Sequence, residues 1–455
     1  MVRRGLLGCL VVLSAALPVP AEGPANEELM KVVAELKATV ARQEKRIAEL
    51  EAARASATAA AGKGELAAAA REMSADAAKR PALPTWLDNL RFYGDLRLRY
   101  QSECYSGEDR SDDKPRNRLR FRLRFGVLKT WLDGQLETGF RLASGETNDP
   151  TTTNQTFTDN FTEKPVWIDQ AFVRYLPKWM PGLVAVGGKM ANPLIHTEIT
   201  WDSDVSPEGL WVQYRHKFGP VEPFANVGFF FLNENYKSPA GVSKDSTGQA
   251  VDYTLRDSTL WSYQLGLVWT IVPDVKWTFA MTYYDFDHLD TGFRTAGGNH
   301  QVKVIYGPGS GDYYYRLGAG QFRVINMTNS VAWTMCGLPM RAFFDILRNC
   351  GNADSGAYAD QDTAYNVGLK IGTNRRKGDW AVGYRYAYIE ANSWPGELNE
   401  SDFGSSNRKG HVWQAGYNIT DWLLLMATVY WTEPITGPAR DQRDVSTRID
   451  LIWSF

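Results

Sequence analysis

The chain has 455 residues, of which 44% are hydrophobic and 13% aromatic, and its net charge is -2. With a mean hydropathy of -0.35 and no run beyond the N-terminus near the roughly 20 apolar residues a spanning helix requires, a helical membrane protein is excluded. The near-neutral charge predicts no nucleic-acid partner, and 5 histidines with 4 cysteines leave little material for a metal site, so neither a metal nor a cofactor is expected.

In chain order, residues 1–21 carry a basic start at Arg3 and Arg4, an apolar core from Gly5 to Leu17 and a small-residue end at Val19-Pro20-Ala21. This is the pattern of a secretory signal peptide, too short to span. The segment 22–60 is expected to be a periplasmic coiled coil. Leu29, Leu36, Gln43 and Leu50 recur at one core position, and Val33, Val40 and Ile47 at the other. The β-branched/Leu arrangement nominally favours two strands, whereas a trimeric barrel could dictate three; a lone amphipathic helix is the other reading. Residues 61–86 are an Ala/Pro-rich linker without an apolar stripe.

From 87 to 455 the period is two nearly everywhere, which predicts strands. In the first, Phe92, Leu96, Leu98 and Tyr100 alternate with Tyr93, Asp95, Arg97 and Arg99. In the second, Leu119, Phe121, Leu123, Phe125 and Val127 alternate with Arg118, Arg120, Arg122 and Arg124. Arginines facing lipid would cost roughly 2 to 4 kcal/mol each near the midplane, so they point inward and Leu and Phe point out. An exposed ladder on a soluble sheet is the plainer alternative. In the third strand Leu132, Leu136, Phe140 and Leu142 alternate with Asp133, Gln135, Glu137 and Arg141. Thirteen further runs follow, from 166–176 to 443–455, which predicts an all-β transmembrane antiparallel barrel of about 16 strands behind a short α-helical coiled coil.

Short turns alternate with long polar loops, and this sorts one end of a barrel from the other. Trp131, Trp179, Trp269, Trp380 and Trp422 lie beside short turns, as an interfacial aromatic girdle requires. The last strand places Val445, Thr447, Ile449, Leu451, Trp453 and Phe455 on one face. Outer-membrane barrels commonly finish on an aromatic residue that the barrel-insertion machinery recognises, and the ending with Trp453 and Phe455 resembles that class.

The first three strands put Arg97, Arg99, Arg118, Arg120, Arg122, Arg124 and Arg141 on the expected lumen wall, with only Asp95, Asp133 and Glu137 as anions. Like charges at next-nearest positions on a strand sit roughly 7 Å apart and must be hydrated or faced by carboxylates. The third long loop carries Glu198, Asp202, Asp204 and Glu208. Folded inward, it would make a constriction with a transverse field, and such rings of charge set solute preference. An ordinary acidic external loop is the alternative for the acids, and a purely structural wall network the alternative for the arginines.

The run Phe92-Tyr93-Gly94-Asp95-Leu96-Arg97-Leu98-Arg99-Tyr100, the segment Trp201 to Gly209, Gly378-Asp379-Trp380 with Tyr384 to Glu390, Ser401-Asp402-Phe403, Gly410-His411 and the terminal aromatic together resemble the outer-membrane porin family of Gram-negative bacteria. The similarity covers roughly residues 85 to 455. It implies a β-barrel porin passing small hydrophilic solutes or ions, in outer-membrane lipid. General-diffusion porins likewise fold a third loop inward opposite an arginine cluster, an analogy of fold rather than of site. The arginine-rich strands also resemble phosphate-selective porins, but the dense lysine cluster of a phosphate site is missing.

A homotrimer is the expected assembly. The rival reading is a structural anchor, in which the N-terminal coiled coil tethers the envelope, with peptidoglycan as a candidate partner. An enzyme is not expected: His196, His216, His288, His300 and His411 fall in different elements and in no recognisable catalytic motif. Cys336 and Cys350 would sit at opposite ends of one strand, so no disulfide joins them.

Overall fold

The computed structural model describes residues 88–106, 115–146, 149–234, 257–287, 322–351, 360–436 and 443–455, the short strands at 243–244, 250–251, 301–304 and 313–316, and residues 42, 45, 49 and 289. The chain divides into two compact units, Met1–Thr85 and Trp86–Phe455. In the first, Arg42, Lys45 and Glu49 are helical and exposed. The signal peptide, the linker and the core positions of the coiled coil lie outside the described residues.

The second unit is built from a 17-stranded sheet, one member of which is the two-residue insertion Gln155–Thr156. The other sixteen are β1 (Leu90–Ser106), β2 (Arg116–Trp131), β3 (Leu136–Ser144), β4 (Val166–Tyr175), β5 (Leu183–Lys189), β6 (Glu208–Arg215), β7 (Val221–Asn233) and β8 (Ser258–Val272). They continue with β9 (Val275–Asp287), β10 (Arg323–Met335), β11 (Leu338–Asn349), β12 (Thr363–Gly372), β13 (Trp380–Ile389), β14 (Arg408–Asn418), β15 (Leu423–Pro434) and β16 (Arg443–Ser454). Each pairs antiparallel with its sequence neighbours, and β16 pairs with β1 in the register Arg99↔Asp450. The barrel closes, which removes every sheet edge from lipid. Gly94 and Phe455 exchange backbone hydrogen bonds of 3.0 and 3.1 Å at the seam.

Period two decides the faces. Phe92, Leu96, Leu98, Leu119, Leu123, Phe125 and Ile449 are exposed on the outside, while Arg97, Arg99, Arg120, Arg122 and Arg448 are buried inside. Trp131, Trp179, Trp269, Trp380 and Trp422 are exposed at the short-turn end, where an aromatic belt meets the membrane interface. Cys104, Cys336 and Cys350 are free thiols, with β11 running between the last two.

The third strand begins later than its pattern suggests. Leu132–Gly134 form a 3-10 turn with Leu132 and Asp133 both at φ 50°, and β3 starts at Leu136. Asp133 is therefore turn and not wall: its side chain is exposed, 3.7 Å from Lys178. Because β3 is short, the upper part of β2 pairs instead with the loop, in the register Arg120↔Thr156 and Phe121↔Gln155.

Inside the short-turn end, the ring of Tyr93 lies over Gly126, its direct partner across β1 and β2. A side chain there would have to displace the ring. Gly126→Val is expected to cost about 1–3 kcal/mol through overpacking, read as a lower urea midpoint for barrel unfolding.

Candidate functional site: the arginine wall and the loops that cover it

The β1–β2 register sets Arg97 opposite Arg122 and Arg99 opposite Arg120. Like charges directly opposed destabilise a sheet unless carboxylates come between them. Asp95 supplies one: its two oxygens lie 2.7 Å from Arg122 Nη2 and 2.6 Å from Arg124 Nη2. Asp450, opposite Arg99 on β16, supplies another. It accepts from Arg99 Nε at 2.7 Å and Nη2 at 2.9 Å in a bidentate pair. Arg118 meets Glu103 at 2.6 Å, Arg141 is paired with Asp169, and Glu137 is paired with Arg174. Arg120 lies 3.8 Å from Glu146 and donates to Gln101 Oε1 at 3.3 Å. Arg97 donates to Asn154 Oδ1 at 2.6 Å and makes no ion pair among the described residues.

The wall is therefore an alternating network of cations and anions. Arg97, Arg99, Arg120 and Arg122 are each only 5–7% exposed, so something covers them.

Two loops do so. The third long loop, residues 190–207, brings Asp204 Oδ1 to 3.8 Å from Arg122 Nη1 and 3.7 Å from Arg124 Nη1. Asp204 also accepts from Thr153 N and Oγ1, both at 3.2 Å, which ties it to the loop before β4. The other predicted acids of this loop go elsewhere. Glu208 opens β6 on the outward face and pairs with Lys189 at 2.7 Å, because the strand alternation that turns Trp211 inward turns Glu208 out. Asp202 faces no arginine within ion-pair distance among the described residues. Its carboxyl accepts from Asp204 N at 2.8 Å and Ser401 N at 3.3 Å. Glu198 lies toward Arg385: burial alone would raise its carboxyl, but that guanidinium holds it below its ordinary range.

The second covering loop spans 390–407. Asp202 N donates to Leu398 O at 2.7 Å and Glu400 N to Glu198 O at 3.1 Å, so the two loops are stitched through their backbones. Glu400 is paired with Arg385 and accepts from Tyr430 Oη at 2.8 Å. Asp402 lies 3.4 Å from Arg99 Nη1 and is paired with Arg448.

The opposite part of the lumen is apolar. Trp201 and Trp394, one from each loop, meet edge to face at 5.7 Å between ring centroids. Trp394 also packs on Tyr284 at 4.8 Å and on Phe286 at 5.3 Å, both on β9. Leu260, Val324, Leu347 and Ile389 complete this buried core from the strands. Beneath it lies a hydrogen-bonded seat. Ile195 exchanges bonds of 3.1 and 2.9 Å with the Gln264 amide, and Thr197 Oγ1 donates to Asp345 Oδ2 at 2.5 Å. The loops are thus held by a core on one side and by ion pairs on the other.

Burial first, then the adjacent Asp204 charge, pushes the Asp202 carboxyl up to about 9. It is therefore neutral near pH 7. For a carboxyl raised on docking, the contribution to docking is complete below its ordinary value of 3.8 and is lost as pH rises through about 9. With the native cysteines replaced, labelling of Ser393→Cys, a buried position within the loop 390–407, is expected to accelerate as pH rises toward about 9 and, beyond the intrinsic thiolate effect, to level off above it. With Asp202→Asn in the same background, the excess acceleration over the intrinsic thiolate effect is expected to disappear.

A family model described as "Putative porin" matches residues 109–306 and 311–452. The chain belongs to that porin family. Among solved structures, a high-pH structure of OprB from Pseudomonas putida is similar at a TM-score of 0.50 and 13% identity, covering 81% of this chain and 94% of that one. A double mutant of the Rh. blastica porin is similar at a TM-score of 0.42 and 10% identity, covering 80% of this chain and 100% of that one. At 13% identity the likeness to OprB is one of fold. Comparison with curated proteins gives no match.

Several of the porin's interior charges escape a strand-by-strand reading. Asp450 and Arg448 carry a usable signal, since the alternation that turns Ile449 and Leu451 outward turns them inward. Glu103 follows the β1 alternation in the same way, beyond Gln101. Asp402 and Glu400 have no such signal: they sit in a loop, and only the packing of Trp394 aims them at the wall. Among the described residues no group of three His, Cys, Asp or Glu could hold a metal ion.

Proposed function

We propose that this porin passes small hydrophilic solutes and ions across the outer membrane of a Gram-negative bacterium, along the arginine wall and past Asp204. The approach of Asp204 to Arg122 and Arg124 at 3.8 and 3.7 Å carries this reading, because it sets a carboxylate from an inserted loop against guanidiniums on the barrel. A transverse field of that kind aligns polar solutes and sorts ions by sign. The wall supplies Arg97, Arg99, Arg118, Arg120, Arg122, Arg124 and Arg141 with Asp95 and Glu137, and the loop supplies Asp204. Short turns face the periplasm and long loops the exterior in this reading.

Liposome swelling with a series of uncharged sugars tests it. The porin is expected to admit small sugars and exclude larger ones, and Asp204→Ala is expected to raise the swelling rate for the larger members. A barrel that admits no sugar and no salt would move the function to an anchor carried by the N-terminal segment.

A further inference from the structure

Toward the long-loop end, between the arginine wall and the loop 390–407, lies an open cavity of about 360 Å³. Its charged lining is Arg116, Arg118, Arg120, Arg408 and Arg448 against Glu103, Glu146, Asp149, Asp402 and Asp444. The two sets balance only because Asp402 is present, and Asp402 is the member delivered by the inserted 390–407 loop. Its carboxylate pairs with Arg448 and lies 3.4 Å from Arg99, and the Asp402 side chain is still 29% exposed while those two arginines are 3% and 7% exposed. Nε of Arg120 and Nε of Arg448 are buried without a hydrogen-bond partner. A guanidinium cluster this buried requires an anion, because uncompensated charge away from water is costly.

We propose that this cavity is a binding site for the carboxylate of a small organic acid, and that Asp402 is a tethered carboxylate occupying the site until the solute displaces it. The proposal rests on the porin reading and adds the class of solute. Fixed guanidiniums suit carboxylates through paired, charge-assisted bonds, and what holds one carboxylate holds another. The cavity lies at the lower end of the roughly 300–1,000 Å³ span of small-molecule sites, so it takes a solute of a few carbons and not an oligomer. Burial alone would raise the Asp402 carboxyl, but Arg448, then Arg99, Arg97 and Arg120, outweigh it and hold it down to about 2. The tethered anion thus stays charged at any pH the cell meets, and its displacement depends on a competing anion.

Displacement has a measurable signature. A site filled most of the time by its own loop binds an external ligand with an affinity reduced by the small fraction of time it is empty. Titration calorimetry of the full-length porin in detergent with succinate is the test, with butanediol as the uncharged control. Asp402→Asn is expected to tighten succinate binding by roughly tenfold or more, since the competitor is gone and the guanidiniums remain. Arg448→Gln in the Asp402→Asn background is expected to return the affinity to the wild-type level or below. Heat-modifiable migration on gels establishes that each variant is folded. Folded Asp402→Asn porin that binds succinate no more tightly than wild type overturns the proposal, as does equal binding of butanediol. Calorimetry does not depend on conduction, so a failure of the porin reading shows separately, as the absence of solute or ion flux.

Discussion

Trp394→Ala is expected to release the loop 390–407 from the lumen and to raise single-channel conductance. Trp394 is fully buried and touches Trp201, Tyr284 and Phe286, so it joins both loops to the β9 wall. Truncating a buried tryptophan costs about 3–5 kcal/mol, a large share of the roughly 5–15 kcal/mol of net stability a folded protein has. The stitch from Asp202 N to Leu398 O then lacks its support, and Asp402 leaves Arg99 and Arg448. Conductance is expected to rise severalfold, with frequent switching between levels as the loop docks and leaves. Unchanged, quiet channels would mean that the ion pairs hold the loop without the core. Trp394→Phe, which keeps an aromatic ring in the same pocket, is expected to retain most of the wild-type behaviour.

Removing one carboxylate from the wall is expected to have the second large effect. Asp95 lies between Arg122 and Arg124 at 2.7 and 2.6 Å, and the side chains of Asp95 and Arg122 are about 11% and 9% exposed. Breaking a buried pair from one side costs about 3–5 kcal/mol, because the remaining charge stays buried and unmatched. Here two guanidiniums are left with only the more distant Asp204 carboxylate between them, and Arg97 directly opposite Arg122 adds repulsion. Asp95→Ala is expected to lower refolding yield in detergent sharply and to shift the urea midpoint down. Adding Arg124→Ala in the same chain restores the balance and is expected to recover much of the loss. If both variants refold alike, hydration rather than pairing neutralises the wall.

The barrel was legible because its physics is local. One wall separates lipid from lumen, so each strand must alternate, and Arg118 to Val127 states that alternation without help from any other strand. The same rule reached Glu137 and Arg141. It failed at Asp133, where the pattern continued in letters but Leu132 and Asp133 turn to φ 50°. Period two says which face a residue takes and not which of the strands lies next to it. The pairing of Arg99 with Asp450 joins the first strand to the last, and it is fixed only by closure.

The loops were least legible. A water-filled lumen gives no reason for Leu260, Phe286 or Leu347 to face inward, yet they do, because Trp201 and Trp394 pack on them. The acids of the third loop read as one set, but the fold separates them: Asp204 to the wall, Asp202 to the seam between loops, Glu198 toward Arg385 and Glu208 to the outer face. Sequence spacing assigns a charge to a loop, and only packing assigns it a direction.

The central claim is that ions pass along the arginine wall and past the pairing of Asp204 with Arg122 and Arg124. The measurement is the reversal potential of single channels in a planar bilayer under a salt gradient, for the wild type, Asp204→Asn and Arg122→Ala. The two substitutions change the charge of the same ion pair in opposite senses. Asp204→Asn is predicted to shift the reversal potential toward anion preference, and Arg122→Ala toward cation preference. Open channels whose reversal potential is the same in all three would contradict the account, because the ions would then be crossing the barrel somewhere else.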